Sequence, residues 1–136
     1  MNLKRWVMAS IAAFAVIFVL DMIVHGKILM GLYERTASVW RPQAEASQRC
    51  WLMMVGKLLF SALFVWIYTK GHEAGKPGLG QGLRYGFLIG LLVSVSYVTV
   101  WYVVLPVPLV LAKGWVASGI VDCLAAGAVA GLLYRP

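Results

Sequence analysis

The chain has 136 residues, 62% of them hydrophobic and 12% charged, with a mean hydropathy of +0.84. That balance excludes an ordinary soluble domain, in which about a quarter of residues are charged. The net charge of +7 does not point to nucleic acid, because the twelve Lys and Arg residues stand scattered at segment ends, as headgroup anchors and topology signals do.

Lys4 and Arg5 precede an apolar run that resembles a signal peptide, but Asp21-Met22-Ile23-Val24-His25 stands where a small-residue cleavage site belongs. The run, Trp6 to Val24, therefore reads as a retained first span, long enough to cross roughly 30 Å of hydrocarbon. From Lys27 to Trp40, Ile28, Leu29, Leu32, Tyr33, Thr36, Val39 and Trp40 recur at helical spacing, with Glu34, Arg35 and Ser38 opposite. This predicts one amphipathic helix lying along the interface or capping the bundle, ended by Pro42. Span two covers Cys50 to Tyr68, and the glycine- and proline-rich stretch Gly71 to Gly80 is a turn. Span three covers Leu83 to Leu105, stopped by Pro106 and Pro108, and span four covers Leu109 to Tyr134, with Arg135 as its anchor. The expected fold is an all-α membrane protein, a single membrane domain over residues 1–136 with four transmembrane helices and one interfacial helix.

Lys4, Arg5, Lys70, Lys76, Arg84 and Arg135 fall on one side, and Lys27, Arg35, Arg41, Arg49 and Lys113 on the other. The positive-inside rule places the first set, with both termini, in the cytoplasm by a margin of one residue. No internal repeat relates the two halves, which disfavours an inverted-repeat transporter.

Gly82, Gly86 and Gly90 recur every four residues in span three; Gly119, Cys123, Gly127 and Gly131 do so in span four. Lipid supplies no hydrophobic drive between helices, so close approach along small residues is the expected adhesive. The two ribbons are expected to face each other, with self-association through one of them left open.

Three charges interrupt the apolar runs. Lys57, Tyr97 and Asp122 each lie thirteen residues inward from Lys70, Arg84 and Arg135, a depth of about 20 Å; Asp21 lies about 24 Å in from Arg5. One layer thus holds Asp21, Lys57, Tyr97 and Asp122, with Ser61 and Ser94 near and His25 one turn above Asp21. A lone charge at mid-bilayer costs at least about 2.5–3.5 kcal/mol, so these groups are expected to meet, the lysine between the two aspartates. Such a cluster reads either as a clasp fixing helix register or as a proton or ion site, and both stay open.

Asp21 and His25, with Met22, Met30, Cys50, Met53 and Met54 near the same surface, suggest soft-metal (copper or zinc) binding at the outer mouth, but no ligand spacing reaches motif quality. His72 is on the opposite side. Cys50 and Cys123 lie far apart without CxxC spacing, so no disulfide framework is indicated. No nucleophile elbow, HExxH, P-loop or dinucleotide fingerprint is present, which argues against an enzyme and names no cofactor.

The pattern DxxxHGxxLxxLYxxTxxxWRP at Asp21 to Pro42, with GLRYGFLIG at Gly82 to Gly90, resembles a group of small four-span bacterial membrane proteins known only as a domain of unknown function. The resemblance implies a bacterial inner-membrane setting and carries no activity. The leading expectation is a non-catalytic accessory or interaction protein in the lipid bilayer, partnered by itself or another membrane protein. A small proton, cation or solute transporter using the same charges comes second, and soft-metal binding third.

Overall fold

Residues 2–134 are described by the structure, a computed structural model, and Arg135, the proposed anchor of span four, lies outside them. Among the described residues all regular structure is helical. The helices are α1 (Leu3–Ile23), α2 (Met30–Arg35), α3 (Gln43–Gln48), α4 (Cys50–Gly71), α5 (Gly78–Val104) and α6 (Leu109–Leu133). Four of them, α1 with the turn that extends it to Ile28, α4, α5 and α6, are long and apolar enough to cross a membrane. The chain is an all-α membrane protein. Side chains such as Leu92, Val103 and Leu59, exposed on these helices, form the surface that hydrocarbon covers.

α5 and α6 form the tightest pair, and the glycine ribbons are the reason. A Cβ added at Gly82 would lie 2.0 Å from the Gly127 carbonyl oxygen, and one at Gly86 would lie 2.1 Å from that of Cys123. Gly127 and Gly131 meet the backbone of Gly82 and Gly78 in return, and Gly119 and Gly90 close the upper end against Ser94 and Ile120. The ribbons fill each other, so neither is left to join a second copy. Gly78 extends the contact one turn beyond the expected start of span three. The helix begins there because Gly78 packs on Gly131 and the Gln81 side chain ties down the turn. Gln81 accepts from the Glu73 N–H at 2.8 Å and donates to the Glu73 and Lys76 carbonyls, both at 3.1 Å. That shortens the loop, whose Gly75 takes the left-handed conformation (φ 83°) open to glycine at no steric cost.

α1 and α4 pack beside α6. Ala9, Ala13 and Ile17 of α1 bury against Val65 and Phe64 of α4 and Ala126 and Ala130 of α6. Trp6 donates its indole N–H to the Ala62 carbonyl at 3.0 Å, and Tyr85 donates to the Phe64 carbonyl at 2.7 Å, so two aromatics stitch α1 and α5 to α4.

The segment from Lys27 to Trp40 departs from the expectation of one helix. α1 widens into a π-turn over Val24–Ile28, closed by the Leu29 N–H on the Val24 carbonyl at 2.8 Å. α2 follows, then a 3₁₀ turn over Ala37–Val39. Thr36 diverts its hydroxyl onto the Leu32 and Tyr33 carbonyls, a bonding pattern that bends helices. The apolar face nevertheless goes where its periodicity points. Leu29, Leu32, Tyr33, Val39 and Trp40 cap the start of α6 against Val107, Leu111 and Trp115. The six-residue α3, with Glu45 between Arg41 and Arg49, has no apolar period to reveal it in sequence.

Candidate functional site

The π-turn sits directly after Asp21, and it sets the geometry of the polar groups. Such turns occur mostly as single interruptions, often at functional positions, because they re-aim one side chain. Here the side chain is His25. Its Nε2 lies 3.5 Å from Asp21 Oδ1 and its Nδ1 lies 2.6 Å from the Tyr33 hydroxyl. Trp115 Nε1 donates to that same hydroxyl at 2.7 Å.

An indole N–H only donates, so the Tyr33 oxygen is the acceptor there, and the direction of its bond with His25 Nδ1 is set by the imidazole tautomer. Asp21 Oδ2 accepts from the Lys57 ammonium. One chain of polar contacts therefore runs from Trp115 on α6 through Tyr33 and His25 to Asp21, which also holds Lys57 of α4. These contacts connect the cap of α6 to the middle of the bundle.

Asp122 stands apart. Lys57 and Asp21 both lie near enough to exert their fields on it, and the Ser118 hydroxyl donates to its Oδ2 at 3.4 Å. Its Oδ1 is buried with no partner among the described residues, and the residue as a whole is 9% exposed. Of the two aspartates expected on either side of the lysine, the ammonium bonds Asp21, and Asp122 feels its field without a hydrogen bond to it. Ser61 gives its hydroxyl to the Lys57 carbonyl at 2.9 Å and takes no part in the ion pair.

Tyr97 is a second correction. It is 62% exposed and stacks edge-on against Trp101, with ring centroids 5.7 Å apart. The buried stripe of α5 runs Gly82, Gly86, Gly90, Ser94, Val98. Strict four-residue spacing carries it to Val98, leaving Tyr97 at the edge of that face.

Asp122 and Tyr97 do meet around a cavity of about 470 Å³. Its walls are Val93, Ser94, Val98, Trp101 and Leu105 of α5, Trp115, Ser118 and Gly119 of α6, and His25 and Trp40 above. Trp40 and Trp115 meet edge to face at 6.0 Å, and Trp40 Nε1 donates to Thr36 at 2.9 Å, so this part of the wall is held from behind. Three tryptophans, Trp40, Trp101 and Trp115, thus line the site, brought together only by the contact between helices.

Met22, Met30, Met53 and Cys50 are exposed, and among the described residues no group of three His, Cys, Asp or Glu is placed to hold a metal ion. Cys123 is buried against the α5 ribbon.

Outside the spans, burial pushes the Tyr33 phenol above its ordinary value of 10, and the nearby charge of Asp21 adds to this against the opposing hydrogen bond from Trp115. A raised folded-state value means that the stability it represents is complete below about pH 10 and is lost as the pH rises through the folded value. Tyr33→Phe is expected to flatten the loss of stability above pH 10 in thermal melts. It also strands the Trp115 N–H, so at neutral pH it should cost about 1–3 kcal/mol. A variant as stable as the parent at pH 7, with an unchanged alkaline profile, contradicts a structural role for the Tyr33 hydroxyl between Trp115 and His25.

Comparison with family models, curated proteins and solved structures finds no match to this chain. The site's chemistry has to be read from its own residues.

Proposed function

We propose that this chain is a non-catalytic accessory protein of the bacterial inner membrane, both termini cytoplasmic, that binds a small ligand within its bundle. The observation that supports this reading is the division among its buried charges. Lys57 and Asp21 neutralise each other as a clasp between α1 and α4. Asp122 is left with one oxygen unpartnered among the described residues, and it lines a cavity large enough for a small molecule. An intramembrane carboxyl group in that position is a functional-site hypothesis in its own right.

Transport of protons or cations is the second reading, favoured by the row of polar contacts from Trp115 to Lys57. Liposomes loaded with a pH-sensitive dye and given a potassium diffusion potential separate the two. The accessory reading expects no proton flux above protein-free liposomes. A flux that disappears in the Asp21→Asn/Lys57→Met double variant would assign transport instead.

A further inference from the structure

We propose that the cavity beside Asp122 takes a monovalent organic cation, an amine or quaternary ammonium carrying an apolar body. This rests on the ligand-binding reading above and names the class of ligand. Lys57 is committed to Asp21, so the second acid of the buried layer, Asp122, keeps an oxygen with no hydrogen-bond partner among the described residues. The cavity that Asp122 lines is also lined by four aromatic residues, Trp40, Tyr97, Trp101 and Trp115. Ring faces attract cations, quaternary ammonium groups above all, and the attraction strengthens when the cation is desolvated. Val93, Val98 and Leu105 supply an apolar wall for the rest of the molecule.

Other ligand classes fit less well. Metal cations such as calcium take six or more oxygens, whereas this cavity offers one carboxylate and the hydroxyls of Ser94, Ser118 and Tyr97. An anion would face Asp122 directly. A purely hydrocarbon molecule would leave the Asp122 oxygen buried with neither a hydrogen bond nor a counter-charge. A zwitterionic lipid headgroup carries the right charge at the wrong depth. Asp122 lies thirteen residues from Leu109, the start of α6, which is about 20 Å along the helix. The ligand is therefore a free amphiphilic cation. Tyr97 and Trp101, both exposed on α5, mark the rim by which it enters from the bilayer.

The test uses the full chain in lipid nanodiscs with benzyltrimethylammonium and its uncharged carbon isostere, neopentylbenzene. Saturable quenching of tryptophan fluorescence reports occupancy of a cavity lined by three indoles, and a thermal shift reports stabilisation. The cation should bind saturably, and the isostere at least tenfold more weakly. Asp122→Asn should lose at least tenfold in affinity for the cation and little for the isostere. Trp101→Ala, a change at a partly exposed ring, should lose severalfold and keeps the test open if Asp122→Asn does not fold. Equal binding of both probes, unaffected by either substitution in a folded variant, overturns the cation inference and leaves the ligand-binding reading standing. Saturable binding of neither overturns both.

Discussion

Lys57→Met is expected to lower the unfolding free energy by about 3 kcal/mol, the lower part of the range for breaking a buried ion pair from one side. The cost arises because the substitution leaves the Asp21 carboxylate, 15% exposed, without the ammonium that neutralises it. The lower part of the range applies because the Lys57 side chain keeps 31% of its surface exposed. Replacing both partners, as Asp21→Leu/Lys57→Met, removes the charge and its counter-charge together and should bring stability back to within about 1 kcal/mol of the parent. Equilibrium unfolding in mixed micelles, followed by circular dichroism, measures both variants. A single variant costing less than about 0.5 kcal/mol would mean that the pair behaves as a surface salt bridge and holds nothing together. A double variant no better than the single one would show that the two charges act separately.

Gly86→Ala is the second large effect, a loss of about 3 kcal/mol from one methyl group. The added carbon would lie 2.1 Å from the Cys123 carbonyl oxygen and 2.9 Å from its carbonyl carbon. Both are backbone atoms that cannot swing aside, so α5 and α6 must separate along the ribbon. Overpacking ordinarily costs about 1–3 kcal/mol, and a clash with backbone belongs at the top of that range. Gly56→Ala is the matched comparison, since that glycine lies inside α4 with nothing within 4 Å of the new methyl. Helix propensity predicts a gain there of up to about 1 kcal/mol. Unfolding free energies that move alike in the two variants would contradict the ribbon as the adhesive of the bundle.

The four spans were legible because hydrocarbon imposes a length and a composition that few other environments demand. The ribbon contact was legible for a related reason. Gly82, Gly86 and Gly90, and Gly119, Gly127 and Gly131, keep a four-residue period, and only small residues let two backbones approach so closely. The depth count from the basic anchors brought Asp21, Lys57 and Asp122 to one layer, and two of them bond directly. It could not say which aspartate the lysine would choose. Depth is a coordinate along each helix, while pairing depends on rotation about its axis. The same blindness to rotation placed Tyr97 with the charges instead of at the mouth of the cavity.

The His25–Tyr33–Trp115 chain was less accessible still. His25 lies in the π-turn, Tyr33 in the short helix that follows it, and Trp115 in another span. The amphipathic period over Lys27 to Trp40 marked the packed face, with Leu29 buried and Leu32, Tyr33, Val39 and Trp40 half-buried, although Ile28 is exposed. The backbone that carries them bends where the Thr36 hydroxyl competes for carbonyls, a choice made in three dimensions.

The amino-acid sequence by itself determined that this is a helical membrane protein with four spans, where the small-residue faces lie, and which charges must find shelter at mid-bilayer. These follow from periodicity and from the cost of polar groups in hydrocarbon, both properties of the linear chain. Only the tertiary structure decided that Lys57 neutralises Asp21, that Asp122 is left facing a cavity, and that tryptophans distant in sequence form its wall. Those outcomes depend on how each helix is turned against its neighbours, which is settled jointly by packing and cannot be read from one helix at a time.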